Sequence, residues 1–298
     1  MSEPNYSRRL RETRKRIAAE GLDGLLVTSQ YNRRYLTGFS AHDGDFTENS
    51  GWVLVTPKSL GLINRTFNLT GLEHELDASG TTWLKADGKQ WHDVLAEQAH
   101  AEGIKKLGFE KAWIAYDRYA EVKEALGAGT ELMPVDDIIV FVRAEKDPYE
   151  IKTLRRAAKV GDRAFRRLLK RIKVGMTERE IAAKLEAYMV DGGAEGPSFP
   201  TIVACGPGGA TPHWEPTERE ARPGEPILID FGVKVDGYCS DSTRTICLGK
   251  PDAQLVEIYH VVRRAQDAAV AALERGVRRG RDVHAAAAEV IEKAGYGD

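Results

Sequence analysis

Asp230 stands in the apolar run Ile227-Leu228-Ile229-Asp230-Phe231-Gly232-Val233, and Asp241 follows in Tyr238-Cys239-Ser240-Asp241-Ser242-Thr243. Between them lies Asp236-Gly237, a strong short-range signal for a β-hairpin. A turn on Val235-Asp236 sets Asp230 directly opposite Asp241. A turn on Asp236-Gly237 sets Asp230 opposite Thr243, with Asp241 on the neighbouring diagonal. Both even-length turns bring the carboxylates to one face, with Cβ atoms roughly 4.5–8 Å apart, whereas an odd-length turn parts them. The apolar surroundings of Asp230 imply that its side chain is not freely solvated. Two like charges this close repel, and burying them is costly without compensation. Either one carboxyl keeps a proton or a cation lies between the two, and oxygen donors on a rigid sheet suit hard or borderline divalent ions. The plainer alternative sends one aspartate to solvent and pairs the other with Arg244.

Upstream, Phe199-Pro200-Thr201-Ile202-Val203-Ala204-Cys205 runs into a Gly/Pro-rich loop that ends at His213. Glycines let backbone approach a ligand closely, and a loop histidine can donate a hydrogen bond to a developing oxyanion. His213 is the candidate catalytic residue on this reading; the bland alternative is a loop histidine without chemistry. His42, His74, His92, His100, His260 and His284 lie in helical or polar contexts without partner spacing and are read as structural. The cluster Arg163, Arg166, Arg167, Lys170 and Arg171 recurs at helical spacing and reads as a solvated helix face rather than a binding patch.

These residues need a scaffold. From residue 6 to about 142 the sequence alternates helix and strand signals. Helices are predicted from Tyr6 to Glu20, Trp91 to Ala101 and Tyr116 to Leu126, and strands at Leu25–Val27, Gly51–Thr56, Leu60–Ile63 and Leu107–Phe109, with a last apolar run from Ile138 to Val142. That pattern implies an α/β layer domain. A charged connector, Val142 to Lys146, leads to Asp147-Pro148-Tyr149-Glu150, where Asp147 can cap a helix and Glu150 complete a capping box. Ile151, Leu154, Ala158, Gly161, Phe165, Leu168 and Ile172 then mark one buried helical stripe. Thr177-x-x-Glu180 opens a second helix, with Ile181, Leu185 and Tyr188 facing inward and Gly192-Gly193 ending it. Strands are predicted from Ser198 to Cys205, Pro226 to Lys234 and Tyr238 to Leu248. Two helices follow, one with the stripe Leu255, Ile258, Val262, Ala265, Ala269 and Leu273, the other from Val283 to Ala294.

With 298 residues, the chain is long enough for two domains, each with its own core. Its 43 Lys and Arg against 45 Asp and Glu give a formal net charge of -2, so nothing in the charge argues for nucleic acid or an anionic membrane as the main partner, and neither is expected. No apolar run approaches the ~20 residues of a membrane helix, and the polar N-terminus has no signal core. Cys205, Cys239 and Cys247 are odd in number and form no C-x-x-C pattern, which fits a reducing, cytoplasmic setting. Two Asn-x-Thr sites, at Asn64 and Asn68, carry no weight without a secretory signal.

Taken together, Phe199-Pro200-Thr201-Ile202-Val203, Pro212-His213, Pro216-Thr217, Leu228-Ile229-Asp230-Phe231-Gly232 and Gly237-Tyr238-Cys239-Ser240-Asp241-Ser242-Thr243-Arg244-Thr245 resemble the signature of Xaa-Pro aminopeptidases and prolidases, the creatinase-like metallopeptidases. The stretch Asn32 to Phe39 and the segment from Arg143 through Pro148 to Glu150 are similar to the same family. The resemblance implies an α+β protein: a creatinase-type N-terminal α/β domain over residues 1–143, then the first part of a pita-bread catalytic domain over residues 147–298. It implies that Asp230 and Asp241 ligate two divalent metal ions, with Asp241 as the bridge, and that His213 serves the substrate carbonyl or tetrahedral intermediate. Thr243 is expected to orient a ligating carboxylate. Mn2+ is the expected metal, with Co2+ or Zn2+ as options. The expected substrates are peptides with proline in second position, and the expected assembly is a homodimer. The family also supplies a histidine in a G-H-G motif and two glutamates further on. This sequence reaches Gly295-Tyr296-Gly297-Asp298 without them, so it reads as C-terminally truncated, with an incomplete shell for two ions and an exposed apolar patch. Rival readings are a metal-free creatinase-like hydrolase and a non-catalytic peptide-binding pita-bread module. Aminopeptidase and dipeptidase are not distinguished at this level.

Overall fold

The computed structural model describes residues 3–44 and 48–297, so the terminal residues 1 and 298 of the expected domain ranges lie outside the described residues. The chain divides into two compact units, 1–152 and 153–298.

In the first unit the apolar runs become one mixed sheet. Its strands are β1 (Gly24–Val27), β2 (Trp52–Val55), β3 (Leu60–Asn64), β4 (Thr82–Lys85), β5 (Lys106–Glu110) and β6 (Glu131–Val135), in the order β4-β3-β2-β1-β5-β6. β2 runs antiparallel to β1 and β3, and the remaining pairs are parallel. Every residue of β1, β2 and β3 is buried. Leu25, Val27, Val53 and Val55 join one core, while Leu26, Trp52 and Leu54 join a second. A strand buried on both faces has no polar alternation, which is why these segments read as unbroken apolar runs. Around the sheet lie α1 (Tyr6–Ala19), α2 (Gln30–Thr37), the single turns α3 (Thr66–Leu69) and α4 (His74–Asp77), α5 (Trp91–Ala101), α6 (Tyr116–Leu126) and α7 (Ile138–Ala144). The apolar run at Ile138–Val142 is therefore helical.

The second long segment begins as expected. α8 (Pro148–Leu169) starts with Asp147 and Glu150 bonding reciprocally: the Asp147 N–H donates to Glu150 Oε2 at 3.0 Å and the Glu150 N–H to Asp147 Oδ1 at 2.9 Å. Arg9, buried in α1, donates to Asp147 Oδ2 at 3.0 Å. α9 (Glu178–Asp191) carries the Thr177/Glu180 capping box. Two expected stripes need correction. On α8, Ile151 and Ala158 are exposed, and the buried line is Ala157, Val160, Ala164, Phe165 and Leu168. Gly161 is buried on the same side, where a Cβ would meet the Phe231 ring at an ordinary contact distance of 3.5 Å.

Six short strands follow: β7 (Gly196–Pro197), β8 (Ile202–Cys205), β9 (Pro226–Phe231), β10 (Val233–Val235), β11 (Tyr238–Cys239) and β12 (Ser242–Cys247). They form two antiparallel sheets, β12-β9-β8 and β11-β10-β7. β8 starts at Ile202 rather than Ser198, because Pro197 and Pro200 have no N–H to give a ladder and the Ser198 N–H goes to the Gly232 carbonyl at 3.1 Å. The expected strand from Tyr238 to Leu248 is split at Ser240-Asp241. α10 (Ala253–Glu274) packs on α11 (Gly280–Lys293). On α10 the expected stripe is again shifted: Val261, Ala265 and Ala272 are buried, while Val262 and Leu273 are exposed. Close pairing of two helices selects small side chains, and a stripe chosen by hydrophobicity favours large ones.

The three cysteines are free thiols. Among the described residues, no helix is long and apolar enough to cross a membrane.

Candidate metal centre

The hairpin settles the register left open by the sequence. Asp236 and Gly237 have φ of 51° and 75°, both left-handed, as a two-residue type I′ turn requires. Val235 pairs with Tyr238, Lys234 with Cys239 and Asp230 with Thr243, so the turn is Asp236-Gly237. On β9 the side chains of Ile227, Ile229 and Phe231 are buried, while Leu228 and Asp230 sit partly exposed on the other face. Thr243 reaches across the ladder and its hydroxyl donates to Asp230 Oδ1 at 2.7 Å. Ile202 of β8 flanks Asp230 on the opposite side.

Asp241 lies where the two ladders meet, and Ser240 before it is held on several sides. The Ser240 N–H donates to the Val233 carbonyl at 2.9 Å, its hydroxyl accepts from the Val233 N–H at 3.1 Å, and its carbonyl accepts from the Ser198 hydroxyl at 2.9 Å. The Ser198–Ser240 bond passes over Gly232 so closely that a Cβ there would stand 2.0 Å from both oxygens. The Ser240 hydroxyl lies 3.6 Å from where a Cβ of Gly161 would be, on the α8 side of the sheet. Asp241 is exposed and lies in the break between β11 and β12, two residues before Thr243. Arg244 pairs with neither aspartate among the described residues; its guanidinium donates to the Thr243 carbonyl at 2.8 Å. The Asp–Arg244 pair of the plainer alternative is therefore absent among the described residues, while Asp241 is exposed, as that alternative had one aspartate.

His213 follows a short 3₁₀ turn, Gly206–Ala210, and is exposed with a left-handed φ of 56°. The loop around it is fastened by a residue that sequence reasoning missed. Glu178, in the first turn of α9, is fully buried. Its Oε1 accepts from the Cys205 N–H at 2.7 Å, and its Oε2 accepts from the Trp214 indole at 3.0 Å, the Thr217 N–H at 2.9 Å and the Thr217 hydroxyl at 2.7 Å. Burial pushes this carboxyl's pKa up, but the bonds from Cys205, Trp214 and Thr217 outweigh it and hold the group below its ordinary value. In the sequence Glu178 is one acid within a helix start, and nothing in its spacing says that it turns inward. Gly232 did carry a signal, since a glycine inside a strand marks close approach.

Asp230 thus stands on β9 opposite Thr243, Asp241 in the break just before β12, and His213 in the loop after the 3₁₀ turn. Among the described residues, no three or more His, Cys, Asp or Glu side chains converge.

Residues 152–298 match metallopeptidase family M24, and residues 9–144 match the creatinase/prolidase N-terminal domain. Over 290 residues the chain is 35% identical to a Bacillus subtilis protein described as uncharacterized peptidase YqhT, covering 97% of this chain and 79% of that one. The chain belongs to metallopeptidase family M24. A Xaa-Pro dipeptidase of Pyrococcus horikoshii is 32% identical over 277 residues, with 93% of this chain and 74% of the relative covered. Among solved structures, a Xaa-Pro dipeptidase from Bacillus anthracis superposes with a TM-score of 0.88 at 32% identity, over 98% of this chain and 79% of that one. The protein is accordingly a hydrolase with a creatinase-type N-terminal domain and an M24 pita-bread domain. Family M24 implies divalent metal ions. In kind, the residues fit them: Asp230 on β9 and Asp241 just before β12 are hard oxygen donors, the first turned by a hydroxyl and neither in an ion pair with a basic side chain among the described residues.

Proposed function

We propose that this protein is an Xaa-Pro metallopeptidase, hydrolysing the peptide bond before a proline in second position through water activated by two divalent ions. The observation that supports the proposal is the hairpin register, which sets Asp230 opposite Thr243 and, continued past the start of β12, brings Asp241 to the same face. Two of the three relatives are named Xaa-Pro dipeptidase, which supports the substrate class. Asp230 and Asp241 would supply donors to the centre. Ions held there lower the pKa of a bound water and polarise the scissile carbonyl. Thr243 fixes the direction of the Asp230 carboxylate by donating to Oδ1. His213, presented at the loop surface, donates to the carbonyl oxygen as negative charge develops on it.

The proposal includes Mn2+ as the metal, ahead of Co2+ or Zn2+, a homodimer, a cytoplasmic setting, and domains spanning 1–143 and 147–298. It includes neither nucleic acid nor membrane as partner. The test is hydrolysis of Gly-Pro and of Xaa-Pro-Xaa peptides with and without a chelator. The expected result is proline-dependent cleavage that chelation removes and Mn2+ restores; the favoured peptide separates dipeptidase from aminopeptidase. Cleavage indifferent to chelator, or equal on peptides lacking proline, contradicts the proposal.

A further inference from the structure

We propose that Glu178 is the positioning residue for His213, fixing where the imidazole is presented by closing the loop of residues 206–217 onto the start of α9. The inference rests on the role given to His213 above. The carboxylate grips both limbs of this loop. The Cys205 N–H stands at its stem, on a strand already held in register by Cys205 pairing with Ile227, and Trp214 and Thr217 stand on the returning limb, just after His213. Helix capping does not require Glu178, because Thr177 and Glu180 complete the capping box. The Glu178 side chain instead points away from its own helix into four donors.

The return limb is packed as well as bonded. The Trp214 indole lies against Gly208, 3.0 Å from where a Cβ would stand, so the ring folds the loop back on itself. Backbone bonds from the Glu178 N–H to the Arg219 carbonyl at 3.0 Å and from the Arg179 N–H to the Thr217 carbonyl at 3.2 Å lay the same limb along α9. His213 sits between these anchors in a left-handed conformation that a residue with a Cβ adopts only when its surroundings hold it. Only an ionised carboxylate can accept from all four donors. An isosteric amide turns an N–H2 toward some of them.

The test uses the full chain with Glu178→Gln and, as a second variant that removes a single donor away from the imidazole, Thr217→Val. Histidine ring signals are followed by NMR in the metal-free protein, with His213 assigned through His213→Asn. The expected result is a His213 signal that moves or broadens in both variants while His260 and His284 of the same unit keep their positions. On an Xaa-Pro dipeptide, kcat falls about 10-fold or more with KM little changed, and Glu178→Gln adds no further loss in the His213→Asn background. If Glu178→Gln does not fold, Thr217→Val decides alone. A His213 signal that stays in place, or one that moves together with His260 and His284, overturns the inference. His213→Asn with undiminished kcat would instead defeat the catalytic role of His213, while the NMR result still reads the anchoring by itself.

Discussion

In the first unit β1, β2 and β3 bury every side chain, split between two cores, whereas in the second unit β9 buries Ile227, Ile229 and Phe231 and gives Leu228 and Asp230 to the other face. The same contrast appears in two glutamates, Glu110 at the end of β5 and the buried Glu178. Glu110 accepts from the Thr28 and Ser29 N–H groups at 2.8 Å each and from the Asn32 amide at 2.5 Å, yet burial keeps its pKa raised. Glu178 accepts from four donors, and they bring its pKa below the ordinary value despite burial. β1 to β3 form a sealed support, with Glu110 of β5 used for capping, whereas β9 keeps Leu228 and Asp230 partly exposed and the backbone beside it is held by dense polar bonding. A face that carries carboxylates without basic partners is where a cation has something to bind.

The largest expected effect lies in the sealed sheet. Leu54→Ala should cost about 2–5 kcal/mol of stability by chemical denaturation, with no change in divalent-ion affinity. Asp230→Asn should stay within about 0.5 kcal/mol of the parent, and a comparable loss there would break the contrast between the faces. Gly232→Ala should cost about 1–3 kcal/mol, because its methyl group would overlap the Ser198 hydroxyl and the Ser240 carbonyl. Thr243→Val should weaken divalent-ion binding about 10-fold, about 1.4 kcal/mol, with stability little altered.

The smallest effect is in pH dependence, and its sign differs between the two glutamates. The folded pKa of Glu178 is lowered, so its stabilisation is fully present above the ordinary value of 4.5 and is lost as pH falls through the folded value. The folded pKa of Glu110 is raised, so its contribution is greatest below 4.5 and is lost as pH rises through the folded value. Denaturation across pH 3–7 should therefore show the gap between the parent and Glu178→Gln narrowing toward acid, and the parent losing ground to Glu110→Gln as pH rises. Equal slopes would remove this part of the contrast.

Local chemistry was legible. The Asp236-Gly237 turn, the Asp147/Glu150 and Thr177/Glu180 boxes and the apolar runs of β1 to β3 follow from adjacent residues, and the even turn, one of two the sequence allowed, sets Asp230 opposite Thr243. Bonds between distant segments were not legible. Glu110 with the start of α2, Arg9 with Asp147 and Glu178 with Trp214 each join residues whose neighbours in sequence give no hint of the pairing. The stripes of α8 and α10 were misplaced for a related reason: Ala157, Val160, Val261 and Ala272 are buried while Ile151, Ala158, Val262 and Leu273 are exposed, a choice made by packing against other segments that hydrophobicity does not encode.

The central claim is that Asp230 and Asp241 act as one cation site on the open face. Calorimetric titration of the metal-free protein with Mn2+, beside Asp230→Asn and Asp241→Asn, tests it most directly. The account predicts binding to the parent and a loss of about 100-fold or more in affinity in each variant; equal affinity in all three proteins would contradict it.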